Sequence, residues 1–342
     1  MPEARCDADA APAPLAALSL SLPPGLAEVL DHGPDAADTF ADDVLRGLSA
    51  ASKAVPSRHL HDSIGLRLFN RIRTLPDYYP SSAETGIFNA HRAEIARLIG
   101  PDACLVAFGC GTSAQVHPMV EALPRLGGLV AVDAARDPLF DAATALADAY
   151  PRLPVAAVCA DVTRPLSLPG IAQRRRRVGF LSGATIGTAE PDETAAMLRT
   201  MADGLGTGGA LIVGVDLVKD RATLERAYID RDGLTAAFNL NLLSRINRDL
   251  CGSFEPRFFR HRAVWNEDAS RVEMHLVSRR RQRVHLAGRA VLFDEDEAIH
   301  TANTHKYTMD GFHRLARAAG LRPVQGWTDH NRLFSLHFLA VA

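Results

Sequence analysis

Between residues 103 and 215, five short apolar runs alternate with helix-length amphipathic segments. That rhythm narrows the possible folds more than any other feature of the chain. The runs are Cys104–Phe108, Leu129–Val132, Val155–Val158, Val178–Leu181 and Ala210–Val215. Each is too short for a core helix and lacks polar alternation, so each reads as a strand buried on both faces. Spacers such as Pro138–Tyr150 and Asp192–Leu205 read as helices. Alternation of this kind predicts a parallel sheet covered on both sides by helices. Ligands of such sheets sit beyond the carboxyl ends of the strands. That rule collects Gly109–Gly111, Asp133, Asp161 and Gly183–Thr188 on one rim.

The flanks read differently. Asp38–Ala54 carries helical spacing through Phe40, Val44, Leu45 and Leu48, and Ser63–Thr74 through Ile64, Leu68, Phe69 and Ile72. Asp77–Pro80 reads as a loop and Glu84–Ile99 as a helix. Past residue 216 the rhythm breaks. Leu224–Leu250 reads as one helix, Arg257–Trp265 and Arg271–Ser278 as paired strands, and Arg289–Phe293 as another strand. Residues 310–319 read as helical, then Val324–Trp327 and Leu333–Ala340 close the chain as a hairpin able to complete the sheet. At the start, Glu3, Asp7 and Asp9 argue against a signal peptide and favour a disordered leader over residues 1–37.

Several function classes recede. A net charge of -2 over 342 residues gives no global pull toward nucleic acid or membrane. The basic runs Arg174–Arg177 and Arg279–Arg283 contain no aromatic residue and read as solvated flanks. No apolar run approaches the roughly 20 residues of a membrane span. Five scattered cysteines without a C-x-x-C pair suit a reducing cytoplasm. No metal site is expected, because His59 and His61, or His300 and His305 near Asp294–Glu297, lack partners at ligand spacing. There is neither a P-loop nor a nucleophile elbow.

The turn Gly109-Cys-Gly111 leaves a backbone that a nucleotide-like ligand can approach closely. A dinucleotide motif fails at Ala114, where a third glycine should stand. S-adenosylmethionine (SAM) suits the turn at least as well. Asp133, ending the second strand, is placed to accept ribose hydroxyls or to cap the next helix. Asp161, ending the third strand, is placed to meet the adenine amino group or to close a turn. Gly183-Ala-Thr-Ile-Gly187 permits either a close ligand or a tight turn.

Longer segments carry a resemblance. Leu68-Phe-Asn-Arg-Ile-Arg-Thr-Leu-Pro-Asp-Tyr-Tyr-Pro80 followed by Glu84, Phe108-Gly-Cys-Gly-Thr-Ser113, Gly183–Gly187, Asp216-Leu-Val-Lys-Asp220 and Leu234-Thr-Ala-Ala-Phe-Asn239 resemble motifs of the histidine Nα-methyltransferases of ergothioneine biosynthesis. The resemblance runs from about residue 40 to the C-terminus. It implies an α/β fold: a Rossmann-like class I SAM-dependent methyltransferase domain, with a second α+β domain formed by the N-terminal helices and an insert. After the leader, residues 38–82 and 219–306 would bind substrate, and 83–218 with 307–342 would bind SAM. Donor contacts would come from Phe108, Gly109, Gly111, Thr112, Ser113, Asp133, Asp161 and Gly183.

The acceptor side is where this chain departs from the family. Tyr78 and Tyr228 keep the family's substrate tyrosines, Tyr78 to orient the amine and Tyr228 to hold a carboxylate, and both are the candidate catalytic groups. Met274 also falls at an acceptor contact. An asparagine that holds the substrate's backbone groups is Thr188, and a tyrosine is His61. The glutamate and serine that read the imidazole are Ala302 and Thr304. Gln115 and Ala107 replace a lysine and an acid. Losing the carboxylate that pairs with imidazole should weaken histidine binding. The expectation is a monomeric cytoplasmic SAM-dependent N-methyltransferase acting on an amino acid or amino-acid-derived small molecule other than histidine. The alternatives are a natural-product N- or O-methyltransferase on another acceptor, and a SAM-binding protein without catalysis.

Overall fold

The computed structural model describes residues 25–32, 39–110, 116–123 and 125–342. The first part of the chain supplies β1 (Glu28–Asp31), β2 (Cys104–Phe108), β3 (Gly128–Asp133), β4 (Val155–Cys159), β5 (Arg177–Leu181) and β6 (Ala210–Asp216). The insert supplies β7 (Phe259–Asn266), β8 (Arg271–Ser278), β9 (Gln282–Leu286), β10 (Arg289–Phe293) and β11 (Ala298–His305). The chain closes with β12 (Leu321–Thr328) and β13 (Phe334–Val341).

One eight-stranded sheet runs in the order β1-β4-β3-β2-β5-β6-β13-β12. Strands β1 to β6 pair in parallel, and β13 and β12 add antiparallel at one edge. The five expected central strands are therefore present, and the closing hairpin completes the sheet. Apolar side chains cover both faces, as all-apolar strands require. One face packs on helices Tyr79–Ile99 and Arg136–Ala149 through Ile87, Ile95, Leu139 and Leu146. The other packs on Pro191–Leu205 and Met309–Ala318 through Leu198, Met201 and Phe312.

A separate core joins segments far apart in sequence. Phe40, Val44, Leu48 and Ile72 from the N-terminal helices pack with Phe238, Leu242, Phe259, Val272, Leu276 and Ile299 from the insert. Strands β11-β8-β7 form its three-stranded antiparallel sheet, and β10-β9 a two-stranded ribbon.

The structure corrects several expectations. Glu28–Asp31, assigned to the disordered leader, pairs in parallel with β4 as an edge strand, while residues 1–24 and 33–38 lie outside the described residues. The helix expected from Glu84 begins at Tyr79, because Pro80 in a first helical turn gives up a hydrogen bond that the turn does not make. The single helix expected over Leu224–Leu250 is two, Arg221–Tyr228 and Leu234–Leu250. Asp230 starts the second by accepting from the amides of Leu234 and Thr235, each at 2.7 Å. The basic run before β5 is largely spent on carbonyls. Arg176 donates to Leu98, Ile99 and Gly208, and Arg177 to Ala172 and Gly204.

One consequence is a pH dependence of stability. His337 in β13 is fully buried, 2.8 Å from Ser335 Oγ and 3.0 Å from His313 Nε2. Burial, then the neighbouring His313, pushes its imidazole down to about 3. The folded state thus holds a neutral ring that the unfolded chain protonates near pH 6.5. Stability from this group is complete above that pH and falls as pH drops toward 3, by up to about 1.4 kcal/mol per pH unit. Urea midpoints should decrease from pH 7 to pH 5, and His337→Asn should flatten the slope. A midpoint constant over that range would contradict this.

Candidate active site

The rim is built by the strand ends themselves. Gly109 leaves β2 with φ +68°, a conformation that costs glycine little and other residues much. Any Cβ there would touch the Thr185 hydroxyl at 3.4 Å, so the first loop lies against the 183–187 loop. The next amide, Cys110, donates to Val132 O at 3.1 Å, which brings the turn to the end of β3. Burial and then the charge of Asp133 push the Cys110 thiol up to about 12, so Asp133 lies close enough to be felt there. Ala160 N donates to Asp133 O at 3.0 Å, which joins the end of β4 and Asp161 to the same line. Gly109, Asp133, Asp161 and Gly183 therefore share one rim, with Phe108 buried at the end of β2. Gly111, Thr112 and Ser113 lie outside the described residues, as does Gln115.

The bland readings hold for both acids at the same time. Asp133 Oδ1 accepts from Ala135 N at 2.8 Å, and Asp161 Oδ1 accepts from the amide and hydroxyl of Thr163. A carboxylate offers about four acceptor sites, so turn formation leaves it able to take hydroxyls. The chemistry of two acids beside Gly109 is of the kind that would suit the hydroxyls and amino group of an adenosine-bearing sulfonium.

Most of the residues expected on the acceptor side lie in the second core. Tyr78 and Tyr228 meet edge-on with ring centroids 6.3 Å apart. An aromatic chain leads back from Tyr78 through Phe69, at 6.2 Å, to His61 at 5.5 Å from Phe69. Burial pushes His61 down to about 4, so it enters the site as a neutral imidazole. Burial also drives both tyrosines up, Tyr78 further raised by Tyr228 and Asp216, so both stay protonated phenols.

Strand β11 forms the opposite wall. Its register slips between His300 and Ala302, so Thr301 is an extra residue facing no partner of its own. Thr301 Oγ1 anchors to Met274 O at 3.0 Å. The bulge turns Ala302 into the same apolar cluster as Tyr78, Tyr228 and Met274, its register partner on β8. His305 N donates to Gly187 O at 2.7 Å, and the Thr304 methyl lies against Gly187. The wall is thereby stitched to the rim loop. Thr188 follows that loop, exposed, and donates its hydroxyl to Thr185 O at 2.8 Å.

Sequence reasoning missed the polar cluster beneath Tyr228. Asp216, the last residue of β6, accepts from Tyr79 Oη at 2.8 and 3.0 Å, from Lys219, and from Lys306 at 2.8 Å. Lys306 also donates to Tyr228 Oη at 2.9 Å. Burial raises Asp216, but Lys306 and Lys219 outweigh it and hold the acid below its usual range. Burial lowers Lys219 to about 8 despite Asp216. The signals for this cluster were the Asp216–Asp220 motif, which marks two of its members, and the Leu68–Pro80 motif, which contains Tyr79.

A family model described as a histidine-specific, SAM-dependent methyltransferase matches residues 40–341. The histidine N-alpha-methyltransferase of Mycolicibacterium smegmatis is 38% identical over 300 residues, covering 86% of this chain and 92% of that protein. That of Mycobacterium tuberculosis is 37% identical over 303 residues, covering 87% and 94%. A 4-dimethylallyltryptophan N-methyltransferase of Aspergillus fumigatus is 25% identical over 330 residues, covering 91% and 95%.

Proposed function

Because this chain belongs to the histidine-specific, SAM-dependent methyltransferase family, we propose that it methylates the amino nitrogen of an amino acid whose side chain is not imidazole. Ala302 carries this reading. It stands opposite Met274, 6% exposed, so the wall that would read a side chain offers a methyl group and a thioether. An imidazole buried there would leave a ring nitrogen without its charged partner, a loss of about 1–3 kcal/mol. An apolar side chain would incur no such cost. That a relative is named for a prenylated tryptophan supports a family chemistry wider than histidine.

Methyl transfer from a sulfonium is an in-line displacement that needs an amine lone pair held near the methyl carbon. Bound SAM supplies the electrophilic methyl group. Tyr78, a phenol at neutral pH, orients the amine by hydrogen bonding, and Tyr228 donates to the carboxylate. The packed aromatic chain from His61 to Tyr228 excludes water, which favours the uncharged amine.

The test is a competition among amino acids with SAM, scored by kcat/KM. Histidine is expected to fall at least about ten-fold below the best acceptor. Ala302→Glu, which restores a carboxylate, should raise histidine relative to that acceptor by about ten-fold or more. Histidine as the best substrate of the unaltered enzyme would overturn the reading. Thr188 favours a second reading, an acceptor that is not an α-amino acid. Its hydroxyl is engaged by Thr185 O, where the family places a backbone-clamping asparagine. A carboxylate-free amine leading the competition would support that.

A further inference from the structure

Lys306 is fully buried at the end of the acceptor wall and is held on both sides. Its amide donates to Ser270 O at 2.7 Å, and the preceding amide donates to Gly187 O at 2.7 Å. Its ammonium donates to Asp216 Oδ2 at 2.8 Å and to Tyr228 Oη at 2.9 Å. An ammonium has donors only, so the phenol oxygen must accept from it. The phenol hydrogen is then committed to some other acceptor. No hydrogen bond joins this phenol to Asp216, which takes Tyr79, Lys219 and Lys306, while the Thr304 hydroxyl also reaches the phenol oxygen. Lys219, the other ammonium on Asp216, also feels the carboxylate of Asp329, which leaves Lys306 as the ammonium that reaches Tyr228.

Building on the amino-acid reading above, we infer that Lys306, held by Asp216, is a positioning residue. It fixes the Tyr228 hydroxyl as a donor to the acceptor's carboxylate, and its charge on the phenol oxygen strengthens that hydrogen bond. Lys306 touches neither donor nor acceptor and works through Tyr228. It therefore sets KM for acceptors that carry a carboxylate and leaves carboxylate-free amines untouched.

The test pairs each acid with its decarboxylated amine, L-histidine with histamine and L-tryptophan with tryptamine. Binding to the full enzyme saturated with S-adenosylhomocysteine is measured by calorimetry, and KM and kcat are measured with SAM. Tyr228→Phe and Lys306→Met should each weaken the acids by roughly ten- to hundred-fold and change the amines by less than about two-fold. Because both act through one hydroxyl, the double variant should be no more than about three-fold worse than Tyr228→Phe alone. Losses that add fully, or that fall equally on acids and amines, would overturn the inference. Lys306→Met leaves Asp216 its Lys219 partner. Should that variant not fold, Lys306→Gln, which keeps a donor without charge, must still lower the acid-to-amine preference at least about three-fold. An unchanged preference in Lys306→Gln would equally refute the role. If the unaltered enzyme binds neither member of either pair, the amino-acid reading falls and this inference with it. If it binds them and the variants shift both alike, only the inference falls.

Discussion

Replacing Asp216 with alanine is expected to cost the fold about 3–5 kcal/mol, the usual result of removing one partner from a buried ion pair. The loss is large because this carboxylate faces two ammoniums and a phenol, so Lys219, Lys306 and Tyr79 all lose an acceptor together. Against a total stability of roughly 5–15 kcal/mol, that brings the chain near unfolding. The physical cause can be isolated with a triple variant, Asp216→Ala with Lys219→Met and Lys306→Met. Removing every buried charge together should recover much of the stability, since apolar replacements of buried ion pairs are often neutral. Chemical denaturation of the two variants decides the point. Equal stability of Asp216→Ala and the unaltered protein would mean that water, not Asp216, satisfies the lysines.

Gly183→Ala should abolish most activity, with kcat/KM falling by about a hundred-fold or more. A Cβ at this position would stand 2.2 Å from the Phe334 ring and 2.8 Å from the Gly214 backbone. Phe334 is buried in the sheet core, and Gly214 belongs to β6, so neither can yield cheaply. The Gly183 amide also donates to Glu84 Oε1 at 2.9 Å, and Ser182 Oγ donates to Glu84 Oε2 at 2.8 Å. The only relief is to push the 182–188 loop outward. That loop touches Gly109 on one side and β11 on the other, so donor and acceptor would lose their alignment together. The expected signature is weakened S-adenosylhomocysteine binding together with a lower kcat, and a destabilisation of about 1–3 kcal/mol. Steady-state kinetics, calorimetry and urea unfolding measure the three effects, and wild-type kinetics would refute the geometry.

The central sheet was legible because its strands are buried on both faces and therefore write themselves as uninterrupted apolar runs. The rim was legible for the same reason: Gly109 and Asp133 directly follow a run, and Asp161 stands three positions after the end of one. Strand β11 was not. Its residues Ala298–His305 are mostly polar, and the slip at Thr301 breaks the period-two pattern by which a strand is recognised. The Asp216 cluster escaped for another reason. Tyr79 lies 137 residues from Asp216 and Tyr228 lies 78 from Lys306, so no local pattern links them. Tyr79 itself sat in a Tyr-Tyr-Pro stretch whose proline suggested a loop, although a proline in a first turn is compatible with a helix. The acceptor positions His61, Tyr78, Tyr228, Met274, Ala302 and Thr304 came from resemblance alone. Nothing in their spacing places them together: the core that gathers Tyr78, Tyr228, Met274 and Ala302 joins residues 40–79 to 224–302.

The slipped register at Thr301 has an evolutionary consequence. Main-chain bonds hold β11 to β8 on both sides of the bulge, and those bonds are indifferent to which side chain stands at 302 or 274. The rim of Gly109, Asp133 and Asp161 belongs to another sheet and shares no strand with this pair. On the acceptor role proposed for Ala302 and Met274, side chains there can be exchanged one at a time without altering the strands of the central sheet. Removing Thr301 would leave His300 opposite His275 and Ala302 opposite Met274, so the ladder tolerates a change of length at this point as well as a change of side chain.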